Sequence, residues 1–331
     1  MLDGPQCMVG FDARPKYENV MLSTFTFRST SKPFVLDMPR LRRPKLPCLR
    51  RILNDYYVAF RRYPNLLRPK RFTEKMQWRK LFDRNPLFGV LCDKIAVREF
   101  IASRVGANFL PDLLWTGDDP DKIPFDALEP PYVVKCTHGS GFYSLIVIGN
   151  EAVETEVVRE RFRNDLVRNY GTMYCEPGYI PVPRRLMAER LLIQPDGSPP
   201  IEHKMLIFNG RVRMIQTNVV ARDGARYETY YDPAWNCLGW YSSNMERYEH
   251  QVPRPDRLED FIALGERLGA GFDFIRVDSY DWAGGIRLGE LTLYHQGGLV
   301  QLTPDEVDFV LGSYWQMTHP ILRAVLSTLQ P

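Results

Sequence analysis

Residues 274–292 carry the most informative pattern in this chain: Phe-Ile-Arg-Val-Asp-Ser-Tyr-Asp-Trp-Ala-Gly-Gly-Ile-Arg-Leu-Gly-Glu-Leu-Thr. Two runs rich in apolar and β-branched residues flank Gly284-Gly285, a pattern that predicts a β-hairpin. Pairing across that turn brings Asp278 and Glu290 close together on facing strands. Adjacent carboxylates repel each other unless a cation offsets their charge, and their hard oxygens favour Mg²⁺ or Mn²⁺. Because Mg²⁺ in turn favours phosphates, the hairpin indicates a nucleotide-dependent enzyme.

The composition is that of a globular protein with more than one packed subdomain. The chain has 331 residues, of which 44% are hydrophobic, and its apolar runs all fall short of the roughly 20 residues that span a bilayer. The first ten residues carry Asp3 and no basic side chain, so no signal peptide is expected. The six cysteines lack CxxC spacing, which argues against a zinc knuckle or a disulfide framework. A cytoplasmic location is expected, with the inner face of a membrane as an alternative.

Positive charge is concentrated in residues 40–71, which carry eleven Lys or Arg and one acid, Asp55, for a net charge of +10. Such a segment could contact an anionic glycan, a membrane face or a nucleic acid, or it could be a solvated helical face with a basic linker. Four prolines interrupt the run and Pro39 precedes it, so it does not form one long nucleic-acid-binding helix. No specific nucleic-acid partner is predicted.

The remaining pattern predicts an α+β protein with a helical N-terminal region. Residues 1–46 lack a sustained period and are expected to be extended or disordered, and 47–110 are expected to be helical. One of those helices should run from Pro86 to about Arg104 and end at Gly106. Strands are predicted at 111–116, 132–136, 143–148, 184–192, 201–208, 212–220 and 227–231. Asn209-Gly210 indicates a type I′ hairpin turn, and neither a Rossmann glycine motif nor a P-loop is present.

Two lysines lie in settings that suit phosphate binding. Lys135 ends an apolar strand just before the turn His138-Gly139-Ser140-Gly141, whose glycines allow backbone N–H groups to approach phosphate oxygens. Lys94 lies within the predicted helix that begins near Pro86. A plain Gly-Ser-Gly hairpin turn is the alternative explanation, and His138 could donate to a phosphate or satisfy a turn carbonyl.

Glu189 and Lys204 are weaker candidates. Glu189 follows a predicted strand, where the backbone of 188–192 could read an adenine edge, although a Glu at a strand end is usually exposed to solvent. Lys204 lies in the alternating strand 201–208 and could equally be a surface lysine.

Taken in order, a set of motifs resembles the ATP-grasp family of the teichuronopeptide-biosynthesis (TupA-like) type over roughly residues 65–315. The motifs are Phe72-Thr73-Glu74-Lys75, Asp93-Lys94-x-x-x-Arg98, Tyr132–Gly141, Ala188-Glu189, His203-Lys204, Phe208-Asn209-Gly210, Arg276-Val277-Asp278-x-Tyr280, Gly289-Glu290-Leu291-Thr292 and Pro304-x-x-x-Asp308. The resemblance implies an ATP-grasp fold, with a small lid subdomain at 111–182 and a C-terminal subdomain at 183–331 that carries the metal site.

The resemblance also implies roles for individual residues. Lys94 and Lys135 correspond to the lysines that contact the nucleotide phosphates. The turn His138-Gly139-Ser140-Gly141 corresponds to the loop that closes over those phosphates. Glu189 lies at the hinge that holds the adenine and ribose. Asp278 and Glu290 match the Mg²⁺-binding carboxylates, with Thr292 where many relatives place an Asn ligand. Arg276 would stabilise the transferred phosphoryl group, and Lys204 would assist although His203 replaces the usual preceding acid.

The implied activity is that of an ATP-dependent carboxylate–amine ligase acting through an acyl phosphate on a sugar-linked or polysaccharide-related substrate. ATP and Mg²⁺, or Mn²⁺, are the implied cofactors, and a carboxylate and an amine or amino acid are the implied partners. A sugar kinase would share the nucleotide site. A glycosyltransferase would need an Asp-x-Asp motif that is missing, since Asp118, Asp119 and Asp121 lie in a predicted loop. A catalytically inactive ATP-grasp scaffold is disfavoured because both lysines and both carboxylates are present.

Overall fold

A computed structural model describes residues 46–149, 153–220, 226–242, 246–247 and 252–317. Residues 1–45, expected to be extended or disordered, lie outside the described residues. The helices are α1 (Leu46–Phe60), α2 (Phe72–Phe82), α3 (Leu87–Cys92), α4 (Val97–Val105), α5 (Thr155–Leu166), α6 (Tyr170–Met173), α7 (Leu258–Gly269) and α8 (Glu306–Tyr314). The strands are β1 (Leu113–Gly117), β2 (Tyr132–Cys136), β3 (Ser144–Val147), β4 (Leu186–Arg190), β5 (Ile201–Phe208), β6 (Arg211–Val220), β7 (Arg226–Tyr231), β8 (Tyr241–Ser242), β9 (Glu246–Arg247), β10 (Phe274–Trp282), β11 (Gly285–Thr292) and β12 (Leu302–Thr303).

The strands form two main sheets, and the predicted α+β class is confirmed. The smaller sheet is antiparallel in the order β1-β4-β2-β3, and the larger has the order β11-β10-β5-β6-β7-β9. β8 and β12 pair separately. The division between the two sheets falls between β4 and β5, so the predicted subdomain boundary at 182/183 does not coincide with it. β4 was expected to open the C-terminal subdomain, but it pairs with β1 and β2.

The small sheet buries one face against α5. Val134 and Ala188 are fully buried on that face, where Val158 and Phe162 of α5 pack against them. Because side chains alternate along a strand, the residues between them, including Lys135 and Glu189, point to the opposite face. This alternation aims both charged side chains at the large sheet.

The large sheet buries one face against α7. An added side chain at Gly269 would lie within 2.5 Å of Ile207, and one at Gly265 within 2.9 Å of Met205, so these glycines let the helix approach β5 closely. The turn between β5 and β6 has positive φ at Asn209 (49°) and Gly210 (77°), as the predicted type I′ turn requires. The opposite face of the sheet is left for charged residues.

Helix α2 fixes the position of the β10–β11 hairpin. Arg79 is fully buried and donates to the carbonyl oxygens of Phe274 (3.0 Å) and Leu293 (3.1 Å), at the start of β10 and just beyond β11. Its guanidinium also pairs with Asp273 and Asp83. Hydrogen bonds to a charged group in a dry site are strong, so α2 holds both ends of the hairpin. Within the described ranges, no helix combines the length and apolarity needed to cross a bilayer.

The predicted continuous helix from Pro86 to Arg104 is wrong at its centre. The chain leaves the helix at Asp93 and re-enters it at Val97. Asp93 accepts from Arg185 (3.0 Å), and the Lys94 N–H donates to the Thr137 carbonyl (3.3 Å). These distant partners replace local helical hydrogen bonds, and the resulting turn places Lys94 beside the end of β2. The predicted end at Gly106 is confirmed, because its φ of 107° suits glycine.

Candidate active site

The two carboxylates of the hairpin face each other directly. Asp278 of β10 pairs with Glu290 of β11, and both side chains are buried. The register shifts after Asp278, which leaves Gly289 as an extra residue, and a side chain there would meet the ring of Tyr280 at 2.7 Å. Burial and the neighbouring Asp278 raise the pKa of Glu290 to about 7, and burial raises that of Asp278. The pair therefore favours a nearby cation.

Arg276 supplies positive charge beside the carboxylates. Its Nε and Nη2 donate to the two oxygens of Asp278, each at 2.6 Å, and Nη2 lies 3.5 Å from Glu290 Oε2. Nη1 lies 2.9 Å from Nδ1 of the buried His295, whose pKa burial and Arg276 lower well below the ordinary value. His295 is thus neutral and accepts from Arg276 through Nδ1. The Arg276 guanidinium is therefore fixed by Asp278 on one side and by His295 on the other.

Lys204 lies on β5 directly opposite Asp278 and is fully buried. Its Nζ lies 3.3 Å from Glu202 Oε2, two residues earlier on the same face of the strand. Although burial opposes ionisation, Lys204 and Arg276 lower the pKa of Glu202. His203 points to the other face, where its ring packs against Phe261. The family pattern has an acid immediately before the lysine, where this chain has His203. Here Glu202, two positions before Lys204, supplies a carboxylate on the same face.

Lys94 contacts the glycine turn of the small sheet. Its buried Nζ donates to the carbonyl of Gly139 at 2.5 Å. Burial and the positive charge of Lys135 lower the pKa of Lys94 to about 7. Gly141 has a φ of 66°, and an added side chain at Gly139 would meet Phe142 and Tyr170 within 3 Å. The structure thus brings Lys94 together with the turn at 138–141, although they are more than forty residues apart in sequence.

Lys135 and Glu189 form an ion pair on the face of the small sheet opposite α5. Lys135 Nζ donates to Glu189 Oε1 at 2.5 Å, and Arg98 Nη1 lies 3.7 Å from Glu189 Oε2. Glu189 is buried, so the reading of it as a solvent-facing strand end is wrong. Lys204 is likewise no surface lysine.

His138 is turned toward α5. Its Nε2 lies 3.3 Å from the carbonyl of Asp165, and burial lowers its pKa to about 4, so the ring is neutral. Of the two roles left open for this side chain, the geometry favours satisfying a carbonyl. The neighbouring Ser140 is within hydrogen-bonding reach of Tyr170.

The residues of the hairpin fit a divalent cation. Among the described residues, Glu290 Oε1 and Thr292 Oγ1 are buried oxygens that lack a hydrogen bond of good geometry, although the Thr292 hydroxyl lies near enough to Glu290 to lower its pKa, and Asp278 lies beside them. Carboxylate oxygens keep lone pairs beyond those that Arg276 uses. The same part of the chain holds no group of three or more His, Cys, Asp or Glu side chains arranged for a metal. A cation here would therefore take further ligands from water or phosphate oxygens, as Mg²⁺ commonly does.

The sequence did not reveal the residues that form hydrogen bonds or ion pairs with the predicted site residues. His295 lies beyond β11 in an irregular turn, and nothing in its local sequence indicates a contact with Arg276. Arg98 was seen only as part of a motif. Glu202 could have been found, because an acid two positions before a lysine in a strand shares its face.

The small sheet carries Lys135, with Lys94 beside it, and the large sheet carries Lys204 and the paired carboxylates, an arrangement that agrees with an ATP-grasp fold. The family model of the TupA-like ATP-grasp proteins matches residues 74–316. The chain therefore belongs to the TupA-like ATP-grasp family, as the ordered motifs indicated. No curated protein matches the chain.

Solved structures of ATP-grasp ligases are distantly similar. D-alanine–D-alanine ligase from Bacillus anthracis is 18% identical, with 74% of this chain and 69% of that chain covered and a TM-score of 0.40. The ATP-grasp ligase PsnB, complexed with a precursor variant, Mg and ADP, is 12% identical over 71% and 61% of the two chains, with a TM-score of 0.31. The macrocyclase MdnB from Microcystis aeruginosa MRC is 16% identical over 70% and 57%, with a TM-score of 0.29. The chain spans 57% of the D-alanine–D-alanine ligase chain complexed with ATP.

Proposed function

We propose that the protein is an ATP-dependent carboxylate–amine ligase that forms an amide through an acyl phosphate. The observation that carries this proposal is the facing pair of Asp278 and Glu290, buried with Arg276 on the hairpin of a TupA-like ATP-grasp chain. Buried carboxylates that share a site with one arginine are suited to a cation and a polyphosphate.

The nucleotide phosphates would lie between the two sheets. Lys135 and Lys94 would contact them from the small sheet and from the turn after α3, and the turn at 138–141 would cover them. Each lysine now binds an internal acceptor, Glu189 Oε1 for Lys135 and the Gly139 carbonyl for Lys94. Phosphate binding would thus exchange one charge-assisted contact for another, which limits the desolvation cost.

The base would lie against the segment that joins the sheets. A cavity of about 280 Å³ is lined by the chain from Arg190 to Ile193, by Pro131 and by Trp282. Its lining is apolar apart from Asp112, Arg190 and Arg287, which suits a planar ring with hydrogen-bonding edges. This supports an adenine site beside Glu189, the residue that the family resemblance assigns to the hinge.

Asp278, Glu290 and Thr292 would hold Mg²⁺, which when bound offsets phosphate charge. Arg276 would stabilise the negative charge of the phosphoryl group as a substrate carboxylate oxygen attacks the γ-phosphorus and ADP leaves. Lys204, held by Glu202, would neutralise charge on the same group. The amine nitrogen would then attack the acyl carbon, lose a proton and release phosphate. The protein's contribution is mainly positioning and charge stabilisation.

The proposed substrate class rests on the family resemblance alone: a sugar-linked or polysaccharide-related carboxylate that would be joined to an amine or amino acid. A sugar kinase of the same pathway is the second candidate, since it would use the same nucleotide site. The two differ in stoichiometry. A ligase needs both a carboxylate and an amine and releases phosphate, whereas a kinase transfers phosphate to a single acceptor.

The test is an ATP-turnover screen over a matrix of uronic acids and other carboxylates against amines and amino acids, with products identified by mass spectrometry. We expect ADP and phosphate only in wells that hold both partners, and a product whose mass is the sum of the two less one water. Glu290→Gln is the inactive control, and Glu156→Gln is its counterpart on an exposed helix face. A phosphorylated product formed without an amine would indicate that the protein is a kinase and not a ligase.

A further inference from the structure

Helix α1 presents to solvent a face that is both basic and apolar. Ile52 and Tyr56 are buried on its inner side. The exposed residues recur at helical spacing on the opposite side and share one face. They are Leu46, Arg50, Arg51, Asn54, Tyr57 and Val58. An ordinary solvated face is dominated by polar residues of both signs, whereas this face combines aliphatic and aromatic side chains with arginines.

The same character continues into the loop that follows α1. Leu67 is 81% exposed and Tyr63 is 66% exposed, and the Tyr63 ring stacks on that of Tyr57 with centroids 5.1 Å apart. Arg61 and Arg68 are exposed on either side of these two residues in the sequence. We call residues 46–71 the α1 surface. Protruding leucine, valine and tyrosine side chains among arginines are typical of regions that enter the headgroup layer of a bilayer.

Asp305, exposed just before α8, pairs with Arg62 (2.9 Å) and Arg71 (2.7 Å), and the rest of the charge on the α1 surface is nearly all of one sign. Its one acidic residue, Asp55, is engaged by Arg51 at 3.2 Å. In the sequence, Arg40, Arg42, Arg43 and Lys45 immediately precede the helix. Several basic residues beside an amphipathic helix attract anionic lipids, and each adds to the affinity.

We infer that the α1 surface docks the protein peripherally on an anionic lipid bilayer. The arginines would contact lipid phosphates while Leu67, Val58 and Leu46 enter the boundary between headgroups and acyl chains. A nucleic acid or a polyuronate would attract the same arginines, but neither offers an apolar phase to the aliphatic side chains. The aliphatic residues therefore favour lipid over these other polyanions. This inference is independent of the proposed catalytic function.

Vesicle co-sedimentation of the full chain tests the inference. The vesicles are phosphatidylcholine alone or with about a third phosphatidylglycerol, the latter giving the anionic surface that basic residues require. We expect binding only to the anionic vesicles, with weakening as salt rises from about 0.05 to 0.5 M. Arg50→Gln/Arg68→Gln should lower the partition coefficient on the order of twentyfold. Val58→Ser/Leu67→Ser should lower it on the order of tenfold.

Matched controls lie on other surfaces of the chain. Arg161→Gln/Arg213→Gln removes two exposed arginines, and Val157→Ser/Val167→Ser removes two exposed valines, one in α5 and one just after it. Both should bind as the wild type does, and Arg50→Lys/Arg68→Lys should retain binding because it keeps the charge. No binding to anionic vesicles at low salt would overturn the inference. So would unchanged lipid binding in Val58→Ser/Leu67→Ser, or tighter binding to duplex DNA or polyglucuronate than to the vesicles.

Discussion

Replacing Glu290 by Gln should stabilise the protein at alkaline pH while removing its response to Mg²⁺ and ATP. Glu290 is buried against Asp278, and its pKa of about 7 compares with 4.5 for an unperturbed glutamate. The folded-state pKa is the higher of the two. At a pH between these two values, the folded protein therefore keeps a proton on Glu290 that the unfolded chain has released. Stability is therefore lost as pH rises from about 4.5 to about 7 and levels off above it.

The size of the effect follows from the shift. At about 1.4 kcal/mol per pKa unit, ionised Glu290 opposes folding by about 3 kcal/mol at high pH. Glutamine carries no charge and is nearly the same size, so the variant lacks this loss. Relative to the wild type, Glu290→Gln should gain about 2 to 3 kcal/mol in free energy of unfolding between pH 5 and pH 8. The assay is urea denaturation in EDTA, with Glu156→Gln as a surface control that shows no such gain.

A second arm tests the ligand assignment. Saturating Mg²⁺ and ATP should stabilise the wild type by about 2.7 kcal/mol at one hundred times the dissociation constant, and Glu290→Gln should gain far less. A variant that loses stability between pH 5 and pH 8 relative to the wild type would refute the electrostatic reasoning. A variant with the full response to Mg²⁺ and ATP would instead refute the metal site. The pH experiment and the ligand experiment therefore test the electrostatic reasoning and the metal site independently of each other.

Substitutions at three further positions probe the neighbouring contacts. Asp278→Asn should lower the free energy of unfolding by about 3–5 kcal/mol, in contrast to Glu290→Gln, because it removes the carboxylate that accepts from the buried Arg276 through both oxygens. Denaturation in EDTA measures this loss, and an unchanged free energy of unfolding would contradict the prediction. Lys135→Ala should weaken ATP affinity by about tenfold or more in calorimetry, whereas unchanged affinity would remove it from the phosphate site. His295→Ala should lower ATP turnover on the order of tenfold while nucleotide affinity holds, with His295→Asn partly restoring turnover through its acceptor oxygen; equal losses in both variants would indicate a packing role.

Local signals predicted the parts of the fold that local chemistry decides. β2 and β5 match their predicted bounds because alternating apolar residues and adjacent turns define them. The Asn209-Gly210 turn and the pairing of Asp278 with Glu290 follow from turn chemistry and register. The break at Lys94 depends on Arg185 and Thr137, which are distant in sequence, and helical periodicity carries no information about them.

The candidate site shows the same division between what a residue is and what it contacts. Sequence reasoning identified the cations, because a lysine or arginine at a strand end or in a hairpin has a recognisable setting. It did not identify their partners, because burial forces each charge to find the best acceptor that the tertiary fold offers. Lys135 binds Glu189, Lys94 binds a turn carbonyl, and Arg276 binds Asp278. A phosphate bound as we propose would therefore have to compete with acceptors inside the protein. The strength of those contacts would then set how selective the site is for a ligand that carries enough charge to replace them.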